Sequence, residues 1–161
     1  MRKIIKDKKI IDDSWVVLTE AQDPLPSGKL IVSVALWQSH KEQLLSHSDE
    51  IGVLLEPENE PAEIADDLAQ FSLIAINFPK FADGRGYSSA RELRTRHHYN
   101  KEIRAVGDVL RDQIYLMARC GFNAFAVRED RCINDALNAF NDFSVNYQAD
   151  AVEQRPLYQT R

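Results

Sequence analysis

Cysteine is scarce in this chain, long apolar runs are missing, and neither glycine nor positive charge is in excess. The two cysteines, Cys120 and Cys132, stand among 161 residues. They cannot build an all-thiolate iron–sulfur cluster, which takes four, or a structural zinc site of paired Cys/His spacing. The neighbouring His97 and His98 would project about 100° apart on a helix, so they do not chelate as an i, i+4 pair does. No metal is expected, and both thiols should stay reduced in a cytosolic chain. The longest apolar run, Leu30 to Trp37 with Ser33 inside it, is far shorter than a bilayer span. The start, Met1-Arg2-Lys3-Ile4-Ile5-Lys6-Asp7, has no signal-peptide core. A cytoplasmic location without a membrane partner follows as an expectation. Against 25 Asp+Glu, the 20 Lys+Arg leave a net charge of −5, which argues against general nucleic-acid binding. What is present, 44% apolar and 28% charged residues, suits a globular domain with a proper core.

The pattern along the chain predicts a single α/β domain over residues 1–143 and a tail over 144–161. Residues 1–29 carry short apolar pieces, Ile4-Ile5, Ile10-Ile11 and Trp15–Leu18, broken by Asp12-Asp13 and a Pro/Gly-rich stretch. They read as a hairpin or edge strands and a loop. From residue 30 strands alternate with amphipathic helices. The strands expected are Leu30–Leu36, Ile51–Leu55, Ser72–Phe78, Ile103–Val106 and Ala124–Val127. Between them lie helices over His40–Ser46, after Asn59-Glu60-Pro61, from Ser89 to about His98, after an Asp108 cap, and after an Asp130 cap. Gly121 is the stop of the fourth helix. The fold class expected is α/β, a mostly parallel sheet of about five β-α units. An open doubly wound sheet and a partial barrel both fit. Ala75, Ile76, Val106 and Phe125 should be buried in it.

Loops after the carboxyl ends of parallel strands converge on one edge, where such folds place ligands. Lys80, Asp83, Gly84, Arg85, Gly86, Gly107, Asp108, Arg128, Glu129 and Asp130 fall there. Two glycines just before a helix let backbone N–H groups approach an anion, and the helix dipole favours it. Lys80, Gly84, Arg85, Gly86, Ser88, Ser89 and Arg111 are therefore candidate anion ligands, and Asp83 and Asp108 candidate catalytic carboxylates. From Lys80 to Arg104 there are seven basic and three acidic residues, a local +4. The same arginines also read as the solvated face of an amphipathic helix. Gly84-Arg85-Gly86-Tyr87-Ser88-Ser89 half-matches the dinucleotide fingerprint, but its sixth position is serine, so no nicotinamide cofactor is assigned. The thiols read as packing residues. The tail, with Leu157 and Tyr158 between Arg155 and Arg161, reads as a segment for a neighbouring subunit or partner.

Three long segments resemble a known bacterial family: Phe78-Pro79-Lys80-Phe81-Ala82-Asp83-Gly84-Arg85-Gly86-Tyr87-Ser88-Ser89-Ala90-Arg91-Glu92-Leu93-Arg94, then Glu102-Ile103-Arg104-Ala105-Val106-Gly107-Asp108-Val109-Leu110-Arg111-Asp112-Gln113, then Arg119-Cys120-Gly121-Phe122. The chain is similar to the DUF934 proteins, most strongly over about residues 70–145. Members are commonly described as oxidoreductases of sulfite reduction, from genes beside the sulfite reductase hemoprotein and sulfate-assimilation enzymes. The resemblance implies an accessory role with that hemoprotein or its electron donor. It brings no established catalytic residues. The alternative is a small enzyme or binding protein for a phosphate-, sulfate- or nucleotide-containing metabolite at Gly84–Ser89. Whether the chain self-associates stays open.

Overall fold

A computed structural model of the chain describes residues 2–80 and 84–141. Eight strands form one sheet: β1 (Lys3–Lys6), β2 (Lys9–Asp12), β3 (Trp15–Leu18), β4 (Lys29–Ser33), β5 (Ile51–Leu55), β6 (Leu73–Phe78), β7 (Glu102–Gly107) and β8 (Ala124–Phe125). Their order is β2-β1-β8-β7-β6-β5-β4-β3. Strands β3 to β8 are mutually parallel, and the β1–β2 hairpin adds antiparallel to β8. The sheet is thus larger than the expected five units. The segments of residues 1–29 join it as full members, one hairpin at one edge and one strand at the other.

The parallel strands follow one another in sequence order without a reversal, so right-handed crossovers wind always in one direction and stack the helices on one face. A doubly wound sheet needs a reversal, and the sheet instead curls into a half-barrel. One connection shows why. β2 and β3 lie at opposite edges, yet only Asp13 and Ser14 join them, a reach of at most about 11 Å. The curl brings the two edges within that reach.

Polar side chains on the concave face hold this closure. The register aligns Ser33, Leu54, Ala75 and Arg104 across β4 to β7. Arg104, 3% exposed, donates through its guanidinium to Asp13 Oδ1 at 2.9 Å and to Glu102 Oε2 at 2.9 Å. Lys6 Nζ lies 3.1 Å from the other Glu102 oxygen. Asp13 Oδ1 also accepts from the backbone N–H of Trp15. Buried charges survive when each is paired and hydrogen-bonded, and this quartet ties the β2–β3 connection to β7.

Helices α1 (Val34–Ser39), α2 (Lys41–Leu45), α3 (Arg85–Thr95), α4 (Arg111–Cys120) and α5 (Ile133–Leu137), with 3-10 helices Pro61–Gln70 and Asn138–Asn141, complete the described residues. The main core lies between these helices and the sheet, with Trp37, Phe71, Phe78 and Phe125 among its largest side chains. Of the four expected core residues, Ala75, Ile76 and Phe125 are buried. Val106 is half-buried with Leu54 and Trp15 around the smaller cluster on the other face.

Local hydrogen bonding moved several boundaries. The run Leu30–Leu36 is not one strand, because the Ser33 hydroxyl accepts the Leu36 N–H and starts α1; a hydroxyl cap outweighs an apolar run. α3 begins at Arg85, so Ser89 sits inside the helix and caps nothing. α4 has Leu110 rather than Asp108 before its first residue, and α5 has Cys132 rather than Asp130. Both aspartates are engaged by Arg128 instead. β8 stops at Phe125. Gly121 does end α4, at a φ of 124°. Residues Asp83, Phe143 and the tail with Leu157 and Tyr158 lie outside the described residues.

One carboxylate gives the fold an acid-sensitive contact. Asp67 pairs with Lys41 Nζ at 2.8 Å and accepts from Trp37 Nε1 at 2.9 Å. The Lys41 contact and then the indole N–H hold it below the usual carboxylate value of 3.8. A lowered folded-state value gives stability that is complete above the unfolded pKa and is lost as pH falls through the folded one. Asp67→Asn should therefore be less stable than the parent at pH 7, with the gap closing below about pH 4. Urea midpoints at pH 7, 5 and 3 check this.

Candidate functional site: a groove along the third helix

Six residues of α3 and its end form one wall of an open groove. Arg85, Ser88, Ser89, Glu92 and Arg96 recur at i, i+3, i+4, i+7 and i+11, which is one stripe of a helix, and His97 follows. Pro57, Asn59, Glu60, Pro61 and Ala62 make the facing wall. The volume is about 390 Å³, inside the range of small-molecule sites. The facing wall is rigid for a reason: Glu60 and Glu63 exchange side-chain and backbone hydrogen bonds in a capping box, and Pro61 fixes the first turn of the 3-10 helix.

Charge is distributed unevenly along the groove. Glu92 lies 3.7 Å from Arg96 and 3.9 Å from His97 Nε2, so one carboxylate faces two cationic or protonatable groups at the far end. At the near end Ser88 and Ser89 offer hydroxyls beside Arg85, which is already engaged within the fold. His97 Nε2 is buried and has no hydrogen-bond partner among the described residues.

The sequence-derived candidates divide. Arg85, Ser88 and Ser89 line the groove; Lys80, Gly84, Gly86 and Arg111 do not. Gly86 lies in the first turn of α3, turned inward. A Cβ there would come within 2.6 Å of the Phe78 ring and 3.0 Å of Ile76 Cγ2. Its role is close helix–sheet packing rather than exposure of an N–H to an anion. Phe78 cannot yield, since Tyr87 and Phe122 flank it at ring distances of 5.2 and 5.7 Å. Gly86→Ala should therefore cost about 1–3 kcal/mol from overpacking, read as a lower denaturation midpoint.

The basic segment is likewise divided. Arg104 is interior, as described above. Arg94 spans three elements: Nε donates to the Gly121 carbonyl at 2.9 Å, and Nη1 to the Tyr99 and Lys101 carbonyls at 2.8 and 2.7 Å. Arg91 is exposed, with Nη2 3.9 Å from Cys120 Sγ. Burial pushes Arg94 down from its ordinary value, though the group stays charged. Of the seven cations, Arg85 and Arg96 are the two that reach the groove.

At the carboxyl edge of the sheet a separate polar set assembles. Asn77 Nδ2 donates to Glu56 at 2.6 Å. Gly107, at a φ of 92°, leaves room that a Cβ would take from Asn77 Oδ1 and the Phe78 carbonyl. The Asp108 N–H bonds that carbonyl at 2.7 Å, and its carboxylate accepts from Arg128 Nη1 at 2.7 Å. Arg128 also forks onto Asp130, and Asp130 and then Asp108 raise its basicity. Arg111 pairs with Asp135 of α5 at 2.6 Å. Asp108 is thus one arm of an ion-pair chain along this edge. Glu56 and Asn77 carry no signal in the sequence, and Glu92, Arg96 and His97 read there only as a helix cap, a solvated arginine and a rejected metal ligand, because their place in the site comes from strand register and the packing of α3 on the 3-10 helix.

Among the described residues no group of three His, Cys, Asp or Glu could hold a metal, and no helix is long and apolar enough to cross a membrane. Fold and site together define a curled α/β half-barrel bearing a polar, cation-ended groove. The family described as a bacterial protein of unknown function (DUF934) matches residues 52–158. The chain belongs to that family. No curated protein matches it.

Proposed function

We propose that this chain binds a small phosphate- or sulfate-bearing metabolite in the α3 groove. The observation that carries this reading is the grouping of Arg85, Ser88 and Ser89 at one end of a concave surface that carries Arg96 at its other end. Guanidinium and hydroxyl donors in that density suit tetrahedral oxyanions, which a guanidinium grips through two N–H groups. Calorimetric titration of inorganic phosphate and of sulfate is the test. Saturable binding, weakened at least tenfold in Arg85→Ala, supports the reading; heats that show no saturation reject it.

The biological setting we propose is sulfite reduction, as an accessory of the sulfite reductase hemoprotein or its electron donor. Family resemblance supports that setting. Reciprocal affinity capture of the two proteins from cells tests it, and a chain that never brings down the hemoprotein removes the setting without touching the anion site.

A further inference from the structure

The groove is larger than a bare oxyanion requires, and its two ends differ in chemistry. At about 390 Å³ it holds several times the volume of phosphate or sulfate, so an anion at one end leaves the rest of the groove to the body of the ligand. Ser88 and Ser89, beside Arg85, are donors. Glu92, one helical turn farther along α3, is an acceptor, and the turn spans about 5 Å. That is the separation between the phosphate and the ring hydroxyls of a phosphorylated pentose. A carboxylate is the group that reads vicinal hydroxyls, by accepting two hydrogen bonds, as an acidic residue does for ribose in dinucleotide sites. On the facing wall Pro57, Pro61 and Ala62 offer apolar surface for one face of a ring, beside Asn59 and Glu60. The Glu60 backbone N–H donates to the Glu63 carboxylate at 2.8 Å.

We infer that the ligand of this groove is a pentose phosphate, free or as part of a nucleotide, with its phosphate at Arg85, Ser88 and Ser89 and its ring hydroxyls on Glu92. The inference rests on the anion reading above and adds the body of the ligand to it. Glu92 is the residue that confers specificity, and the phosphate end confers charge attraction common to any oxyanion.

Calorimetric titrations of the full chain with inorganic phosphate, ribose 5-phosphate and adenosine monophosphate separate the two readings. Ribose 5-phosphate and adenosine monophosphate should each bind at least tenfold more tightly than phosphate. Glu92→Ala should reduce that advantage, taken as the ratio of affinities within the variant, to less than twofold. Alanine suits a helix interior, and the melting temperature of the variant confirms that it folds. Equal affinity for the three probes in the parent overturns this inference and leaves the anion site standing. A preference for the sugar phosphates that persists in Glu92→Ala also overturns it. Failure of all three to bind overturns the anion reading, and this inference with it.

Discussion

Replacing Arg104 by alanine is expected to destabilise the fold by about 3–5 kcal/mol, because the change leaves buried carboxylates without their cation. Arg104 sits on the concave face of β7, 3% exposed, and donates to both Asp13 and Glu102. Removing it leaves Lys6 as the remaining partner of Glu102 and strips Asp13 of its guanidinium. Asp13 in turn anchors the two-residue connection between the sheet edges, so the loss should also loosen β2 and β3. A large drop in urea midpoint, with faster amide exchange in residues 9–18 than in β6, is the expected result. If the quartet is chiefly a device for closure, Arg104→Met combined with Asp13→Asn and Glu102→Leu should recover most of the stability. A single Arg104→Ala variant as stable as the parent would show that the concave network does not hold the half-barrel.

Arg94→Ala should cost about 3 kcal/mol, since three carbonyls in two segments, Gly121 after α4 and Tyr99 and Lys101 before β7, lose a charged donor. Water reaches the Lys101 carbonyl more readily than the others, which keeps the loss below three times that of a buried charged bond. Arg94 does not line the groove, but it fixes the second half of α3 against Gly121 and the loop before β7. Arg96 and His97 follow directly on that half. The variant should therefore bind phosphate more weakly than the parent although no ligand contact is removed. Guanidinium denaturation and phosphate titration on the same preparation measure both effects. Arg94→Lys, which restores charge but not the three-way fork, should recover less than half of either.

These two arginines show where sequence reading stops. Both fall in the local +4 segment, and charge counting treats them like Arg85 and Arg96. Nothing in residue type separates a guanidinium that spans three backbone carbonyls from one that lines a groove; the separation comes from long-range placement. The strands, by contrast, were legible, because Ile51–Leu55 and Leu73–Phe78 are continuous apolar runs, as strands buried on both faces must be. Helix starts were less so. Ser33 was hidden inside an apolar run, and Gly86 looked like a loop glycine when its missing Cβ is what lets α3 lie on Phe78. The curl was open to inference only as one of two alternatives, since sequence spacing does not reveal that β3 lies at the far edge from β2. Half of the groove was legible too: Arg85, Ser88 and Ser89 were named for an anion. Its other half depends on α3 starting at Arg85, which adds Arg85 and Ser88 to the stripe of Ser89, Glu92 and Arg96, and on the packing of the 3-10 helix opposite it.

The most direct test of the central claim is to map, by nitrogen–proton correlation spectra of the full chain, which amides move when inorganic phosphate is added. The account predicts saturable shifts concentrated at Ser88, Ser89, Glu92 and Arg96, with the His97 ring responding and the Asp108–Arg128 edge still. Shifts centred on Asp108, Arg111 and Arg128, or none that saturate, would contradict it.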